Sequence, residues 1–284
     1  MRNTSLLKQD MVFGVSLGAA YAVAGAMSVA LMSPWLLGMT CVVSGFGIIS
    51  GFAWHLPKAI HEATQYAERL KPGDKIRDAL DSLIVKAGLK KNVDLYVQNS
   101  NDPLIAGAIG NNIIIDDDLE FMLSNEEMNA VIAHELGHIV EKDFLKVPFM
   151  PLPSLFSIVA SGAGLYHSGQ ALLMQGQIDF QSVAKSAISL STVFAVHALT
   201  QKALRACEHK ADIHAVLLTG GPEEMISALE KIDNYYSRLS SDRSKDMPGG
   251  GIQNDPEREM LVNQLFSTHP SLKQRSAVVR AVKF

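Results

Sequence analysis

Residues 131–143 read V-I-A-H-E-L-G-H-I-V-E-K-D, and this stretch decides the fold around it. Positions four apart lie on one face of an α-helix, so a helix here directs His134 and His138 at a single point. Glu135 lies one step around the helix and can reach a water molecule held at that point. This H-E-x-x-H arrangement is typical of zinc sites in which the glutamate acts as general base on the metal-bound water.

The alternative is an ordinary helix that carries two surface histidines and a solvated glutamate by chance. The neighbouring residues argue against it, because Ala133, Leu136, Gly137 and Ile139 make the helix apolar around the motif and predict that it is buried. A buried imidazole or carboxylate needs a hydrogen-bond partner or a metal ion. Two imidazoles and one carboxylate suit zinc and leave a fourth position for water.

The third protein ligand does not follow directly after the motif. The extended form of the motif requires histidine at position 144, where this chain has Phe144. Glu141 and Asp143 are close in sequence, but they fall past the expected helix end and in poor helical phase. A downstream helix therefore has to supply the ligand, and residues 201–218 are predicted to form an amphipathic one.

Glu208 and Asp212 are the best candidates on that downstream helix. They are four residues apart and share a face, so one can bind metal while the other accepts a hydrogen bond from a ligating histidine. His209 is an alternative ligand, although it points about 100° away from Glu208. Without a metal, Glu208 and Asp212 would be a pair of acids on a solvated helix face.

The chain outside its apolar segments predicts an α+β fold that is mainly helical, with a small antiparallel sheet. Short segments rich in β-branched residues and separated by turn signals predict the strands: Val93–Gln98, Leu104–Ile109 and Asn112–Asp116. Ser124 and Glu127 fit a capping box at the start of the motif helix. The remaining predicted elements are helices at His61–Leu70, from Asp74 to Gly88 and at Ser271–Val282, and a mobile loop at 240–256.

The composition argues against nucleic-acid binding and indicates that parts of the chain are unusually apolar. The 284 residues carry a formal net charge of −4, and no basic cluster is interleaved with aromatic residues, which argues against nucleic-acid binding. Charged residues make up 19% of the chain, against about 25% in typical soluble domains, so some segments must be unusually apolar. Cys41 and Cys207 lie far apart and are interpreted as free thiols, which fits a reducing compartment.

Residues 11–57 contain no Asp, Glu, Lys or Arg. A Met-Ser-Pro sequence at 32–34 divides them into two stretches of roughly 20 residues each, the length of a helix that crosses a bilayer. We therefore predict an N-terminal membrane hairpin. The residues that flank it are positive and place both of its ends on the cytoplasmic side: Arg2, Lys8, Lys58, Arg69 and Lys71.

A second apolar region predicts a weaker membrane hairpin, because residues 147–178 and 186–201 also lack charged side chains. The predicted organisation therefore has four parts. They are an N-terminal membrane hairpin at 1–58, the first part of a metalloprotease domain with the H-E-x-x-H helix at 59–146, the apolar region at 147–200, and the second part of the domain with the third ligand at 201–284.

Three motifs in this order resemble those of the HtpX-like membrane zinc metallopeptidases, which are relatives of the CAAX prenyl proteases. The motifs are A-H-E-L-G-H at 133–138, E-H-K-A-D at 208–212 and S-T-H-P-S-L at 267–272. The resemblance implies a zincin-like domain in which His134, His138 and Glu208 hold one zinc ion. It also implies that Glu135 is the catalytic base and that Asp212 supports a ligand.

Two further residues near these motifs are predicted to support the site. His269 precedes a proline at a helix entry, where it either packs or stabilises developing negative charge in the reaction. Arg205 is expected to hold a carboxylate. In the enzyme, neither is predicted to bind the metal.

The resemblance also implies an inner-membrane enzyme with a cytoplasmic site that degrades misfolded membrane proteins. We expect a zinc endopeptidase that acts on polypeptides at a lipid bilayer and holds them beside an edge strand within residues 104–116. The first alternative is a non-proteolytic membrane chaperone or adaptor with a structural zinc, which requires a fourth protein ligand, either His209 or His269. The second is a membrane structural protein that carries the motif by chance.

Overall fold

A computed structural model describes residues 4–31, 43, 56–99, 106–146, 152–176, 180–245 and 270–283. Its helices are α1 (Thr4–Leu31), α2 (56–64), α3 (Lys75–Lys86), α4 (Asp118–Met122), α5 (Asn125–Glu141), α6 (Asp143–Lys146), α7 (Leu152–Gln175), α8 (Phe180–Thr219), α9 (Glu223–Lys245) and α10 (Leu272–Arg280). Its strands are β1 (Glu68–Arg69), β2 (Asp94–Gln98), β3 (Ala106–Ile109) and β4 (Asn112–Asp116). The prediction of a mainly helical chain with a small sheet is confirmed.

The sheet is mixed, so the prediction of an antiparallel sheet is wrong. Its strand order is β1-β2-β4-β3. β3 and β4 form the expected antiparallel hairpin, with Ile109 opposite Asn112 across a turn in which Gly110 has a φ of 65°. β4 then pairs in parallel with β2, with Leu95 opposite Ile113. Turn signals set the direction of consecutive strands only, and β2 and β4 are not consecutive.

The predicted helix at His61–Leu70 ends early. Helical residues stop at position 64, and Glu68 and Arg69 form β1, which pairs antiparallel with β2. The Leu70 N–H continues this pairing by donating to the Leu95 carbonyl. The amphipathic pattern predicted a helix here because a local pattern carries no information on the hydrogen bonds that the edge of β2 offers to this segment.

One hydrophobic core joins the sheet to α3, α5, α8, α9 and α10. Fully buried members of this core are Leu80, Leu95, Ile113, Ile132, Leu136, Ile213 and Val279. Burial of one such side chain contributes about 1.5–3 kcal/mol to stability. Helix α5 contacts β3, β4, α3, α8 and α9, so the motif helix occupies the centre of this core.

Helices α1, α7 and α8 pack against one another. Helix α8 runs unbroken through 40 residues, so the domain boundary predicted at residue 200 lies inside a helix. Within the described ranges, no helix combines the length and the apolar character needed to cross a membrane. Most of the second predicted span, residues 35–55 except 43, lies outside those ranges, and both membrane hairpins stay predictions.

Residues 240–245 of the predicted loop are helical, and 246–256 lie outside the described residues.

Candidate metal centre

Helix α5 begins with the predicted capping box. The Ser124 hydroxyl accepts the backbone N–H of Glu127, and the Ser124 N–H donates to the Glu127 carboxylate. The same carboxylate accepts hydrogen bonds from Ser227 and Lys231 of α9, each at 2.6 Å. These contacts fix the start and the rotation of α5, and with them the direction of the motif side chains.

The two motif histidines and Glu208 of α8 lie around one point. The Nε2 atoms of His134 and His138 are 3.3 Å apart. Glu208 Oε2 lies 3.9 Å from His134 Nε2, and Glu208 Oε1 lies 3.8 Å from His138 Nε2. Ligand atoms about 2.1 Å from a tetrahedral zinc ion are separated by about 3.4 Å. The donor set therefore fits zinc in chemistry and in spacing.

Asp212 lies behind His134, away from the point that the three ligands surround. Its Oδ1 is 2.9 Å from His134 Nδ1, and its side chain is fully buried. The Arg275 Nε–H of α10 donates to Asp212 Oδ2 at 2.9 Å. A carboxylate at Nδ1 holds the proton there and leaves Nε2 free to bind a metal. Asp212 therefore orients His134, and Arg275 orients Asp212.

Asp143 has the same relation to His138. Its Oδ2 lies 2.9 Å from His138 Nδ1, and its Oδ1 accepts a hydrogen bond from Lys146 at 2.7 Å. Helix α5 ends at Glu141, and the next residue, Lys142, has a left-handed φ of 54°. That conformation costs a residue other than glycine about 1–2 kcal/mol. The turn brings Asp143 back to the histidine, which is why helical phase alone did not assign it this role.

The carboxylates around the site control the ionisation of His138. Burial lowers the pKa of His138, but the hydrogen bond to Asp143 and the negative charges of Glu135 and Glu208 outweigh burial and raise it to about 9. Burial alone would raise the pKa of Asp212, but Arg275 and His134 hold it well below its usual range. The carboxylate behind His134 is therefore ionised at neutral pH.

Gly137 allows α5 and α8 to approach closely beside the ligands. A Cβ atom at this position would lie 2.9 Å from the Ala211 Cα and 3.0 Å from the His214 Cβ. Both distances are shorter than side chains ordinarily tolerate, and the Ala211 atom belongs to the backbone and cannot move alone. The glycine of the H-E-L-G-H motif therefore sets the helix separation at which Glu208 reaches both histidines.

The ligand atoms and Glu135 face a cavity of about 670 Å³. Glu135 is 7% exposed. Residues of β3 line one part of the cavity: Ala106, Gly107 and Ala108. Apolar side chains of α9 and α10 line another part: Met225, Ala228, Leu229, Ile232 and Leu272. The cavity thus offers a carboxylate, a strand edge and an apolar wall around one group of candidate metal ligands.

Arg205 and His209 lie close to the candidate metal ligands in the chain but do not belong to that group. Arg205 lies on α8, three residues before Glu208, and is half-buried outside the residues that line the cavity. His209 is half-buried, and its Nδ1 lies 4.0 Å from Asp212 rather than in the ligand group. His269 lies outside the described residues. Burial raises the pKa of the Cys207 thiol to about 12, so this thiol is not ionised at neutral pH.

Replacing Asp143 with alanine is expected to weaken zinc binding by about 10–100-fold, because His138 loses the group that fixes its orientation and tautomer. The affinity is measured by competition with a chromophoric chelator. Glu120→Ala, at an exposed acidic position of α4, is the control for removal of one negative charge. Equal zinc affinity in Asp143→Ala and the control would contradict the role given to Asp143.

Comparisons with known proteins agree with this geometry. The sequence model of peptidase family M48 matches residues 71–283. "Protease HtpX homolog" of Paenarthrobacter aurescens (strain TC1) is 27% identical over 95% of this chain and 93% of its own. "Protease HtpX homolog 1" of Streptomyces coelicolor (strain ATCC BAA-471 / A3(2) / M145) is 28% identical over 91% of this chain and 86% of its own.

The fold also matches a solved structure. The crystal structure of S. mikatae Ste24p is similar with a TM-score of 0.57 and 18% sequence identity. The match covers 96% of this chain and 66% of that chain. The two proteins therefore share a fold, and the larger protein has regions beyond the match.

Proposed function

Because the chain belongs to peptidase family M48 and is an HtpX-like metallopeptidase, we propose that it is a membrane-bound zinc endopeptidase that hydrolyses misfolded or membrane proteins. The observation that carries this proposal is the convergence of His134, His138 and Glu208 beside the buried Glu135 in one cavity. Zinc bound there would polarise a peptide carbonyl and lower the pKa of water to about 7.

Glu135 moves the protons in the proposed reaction. It lines the cavity next to His134 and His138 and is almost fully buried, so its carboxylate faces the substrate space rather than bulk solvent. As general base it takes a proton from the attacking water, and as general acid it passes that proton to the leaving amine. Asp212 and Asp143 keep the two imidazoles in place during these transfers.

The polypeptide lies along β3. In the sheet of described residues, β3 pairs with β4 on one side and is last in the strand order, so its other edge can pair with an added strand. Ala106 and Gly107 line the cavity and leave room for a backbone to approach. Pairing through backbone groups reads little sequence, so broad selectivity is expected.

The apolar wall supports unfolded or membrane proteins as substrates. Ile232 and Leu272 are half-buried at the cavity, with Leu229 behind them in the core. Apolar side chains of a bound polypeptide would gain about 25 cal/mol for each Å² buried against such a wall. Folded soluble proteins keep such side chains inside, whereas misfolded and membrane proteins present them.

The three helices outside the catalytic core support a membrane location. Large apolar side chains are exposed on α1, α7 and α8: Met11, Val15, Val23, Leu155, Ile158, Leu165, Tyr166, Leu172, Leu173, Met174, Ile188 and Phe194. Exposed apolar surface of this extent is typical of membrane or protein contacts. With the uncharged residues 11–57 and their positive flanks, it favours the inner membrane, with the metal site on the cytoplasmic side.

A structural zinc site is less well supported. Such sites use four protein ligands, whereas sites of catalysis use three and keep one position open. Among the described residues, the His-containing group that is spaced to hold a metal consists of His134, His138 and Glu208. This three-membered set favours the enzyme over a chaperone or adaptor with a structural zinc.

Metal removal tests the proposed function. Dialysis against 1,10-phenanthroline is expected to abolish casein hydrolysis, and one zinc ion per chain is expected to restore it. Because His138 holds a proton up to a pKa of about 9 in the metal-free site, zinc must displace that proton. Zinc affinity should therefore fall as pH is lowered, by about tenfold per pH unit for one displaced proton.

Parallel reactions with a serine-protease inhibitor control for contaminating proteases in this experiment. Full activity in a preparation that metal analysis finds free of zinc would contradict the proposed function. Zinc affinity that is the same at pH 6 and pH 8 would contradict the ionisation assigned to His138.

A further inference from the structure

Lys210 is an unusually buried charge. Its side chain is 2% exposed, although it lies between Glu208 and Asp212 in the metal-binding part of α8. Its Nζ donates to Glu141 Oε2 at 2.8 Å and to Asp10 Oδ1 at 3.2 Å. The Phe13 ring covers the ammonium group at 5.4 Å. A buried ammonium is tolerated only when it is paired in this way.

The pair formed by Lys210 and Glu141 joins the two helices that carry the metal ligands. Glu141 lies on α5, three residues after His138, and it also contacts His214 of α8 at 3.2 Å. The close approach of Gly137 to Ala211 lies on the same pair of helices. The crossing of α5 and α8 is therefore fixed by charge pairing as well as by close packing, within about one turn of the ligands.

Ionic contacts continue from this pair to a metal ligand. Lys146 lies 3.6 Å from Glu141, donates to Asp143 at 2.7 Å and lies 5.5 Å from the centre of the Phe13 ring. Asp143 in turn lies against His138 Nδ1 at 2.9 Å. Asp10, Phe13, Glu141, Lys146 and Lys210 thus form one group of contacts, which we call the charge cluster.

Helix α1 supplies two members of the charge cluster. Asp10 gives Lys210 a second carboxylate, which matters because Glu141 is shared with Lys146 and His214. The Phe13 ring lies 5.4 Å from the ammonium group of Lys210 and 5.5 Å from that of Lys146. Both residues are at the start of the uncharged stretch of α1, where this helix packs along α8.

We propose that Asp10 and Phe13 are positioning residues for the zinc site, so that docking of the N-terminal helix holds α5 and α8 at the separation that zinc binding requires. This inference rests on the proposed zinc site. It makes the N-terminal helix a part of the catalytic framework in addition to any role as an anchor. Zinc binding and α1 docking are then coupled, and each strengthens the other.

The coupling is tested with the full chain in detergent. Asp10→Asn is expected to weaken zinc binding by about tenfold, the lower end of what loss of a supporting residue does to a metal site. Lys8→Gln, at an exposed position of the same helix, is the matched control and should bind zinc like the wild type. The effect of Asp10→Asn should vanish in a Lys210→Met background, because the two residues then no longer form a pair.

Hydrogen exchange provides a second measurement that needs no variant. Zinc is expected to slow amide exchange around Asp10 and Phe13 in the wild type by more than it slows exchange in α3, where only the general stabilisation of the fold by zinc acts. Exchange in α1 that zinc slows no more than exchange in α3, or wild-type zinc affinity in Asp10→Asn, would overturn the proposal. A wild type that binds no zinc would instead contradict the proposed function.

Discussion

Replacing Glu135 with glutamine is expected to lower casein hydrolysis by about 10²–10⁴-fold, which is the usual contribution of a general acid–base residue. Glutamine has nearly the shape of glutamate, but it cannot take a proton from water or return one to the leaving amine. The proposed zinc ligands His134, His138 and Glu208 are untouched, so zinc content should stay at one ion per chain. The rate is measured on casein and zinc by metal analysis.

The matched control for this variant is Glu126→Gln, an exposed position at the start of the same helix. It makes the same chemical change in α5 without touching the cavity, and it should retain wild-type activity. Residual hydrolysis by Glu135→Gln at more than about a tenth of the wild-type rate would mean that another group accepts the proton.

Replacing Glu208 with alanine is expected to remove zinc from the purified protein. Two imidazoles would remain, and the carboxylate that lies 3.8 and 3.9 Å from their Nε2 atoms would be gone. The loss of affinity should exceed the roughly 10–100-fold loss expected for a residue that only orients a ligand. Zinc affinity is measured by chelator competition, and activity should fall in parallel.

Asp212→Asn is the comparison that separates a ligand from a supporting residue. It changes the group behind His134 Nδ1 and leaves the three ligands in place, so its loss of affinity should be the smaller of the two. If Glu208→Ala kept a full zinc complement, a residue other than Glu208 would be the third ligand. A larger loss of zinc affinity in Asp212→Asn than in Glu208→Ala would mean that Asp212 is the metal ligand and that Glu208 is the supporting residue.

Local patterns predicted the parts of the molecule that depend on local structure. The four-residue spacing of His134 and His138 requires only a helix, and the Ser124 capping box fixes where that helix begins. The same spacing singled out Glu208 and Asp212 on α8, although it could not decide which of them binds the metal. The structure brings Glu208 towards both Nε2 atoms and Asp212 to an Nδ1 atom.

Features that depend on an unusual backbone conformation or on pairing between distant segments were not predictable in this way. Asp143 reaches His138 only because Lys142 adopts a left-handed conformation, which no glycine in the sequence signals. β2 pairs in parallel with β4, and β3 lies on the other side of β4 in the strand order. No turn signal in the sequence predicts this order. Lys210 meets Asp10 from 200 residues away.

In the proposed reaction, one zinc ion held by His134, His138 and Glu208 enables Glu135 to drive peptide hydrolysis. Its most direct test is to measure zinc content and casein hydrolysis on the same detergent-purified samples of the wild type and Glu135→Gln. We expect one zinc ion per chain in both proteins and hydrolysis by the wild type alone. A wild type without zinc, or a Glu135→Gln variant that cleaves casein at the wild-type rate, would contradict it.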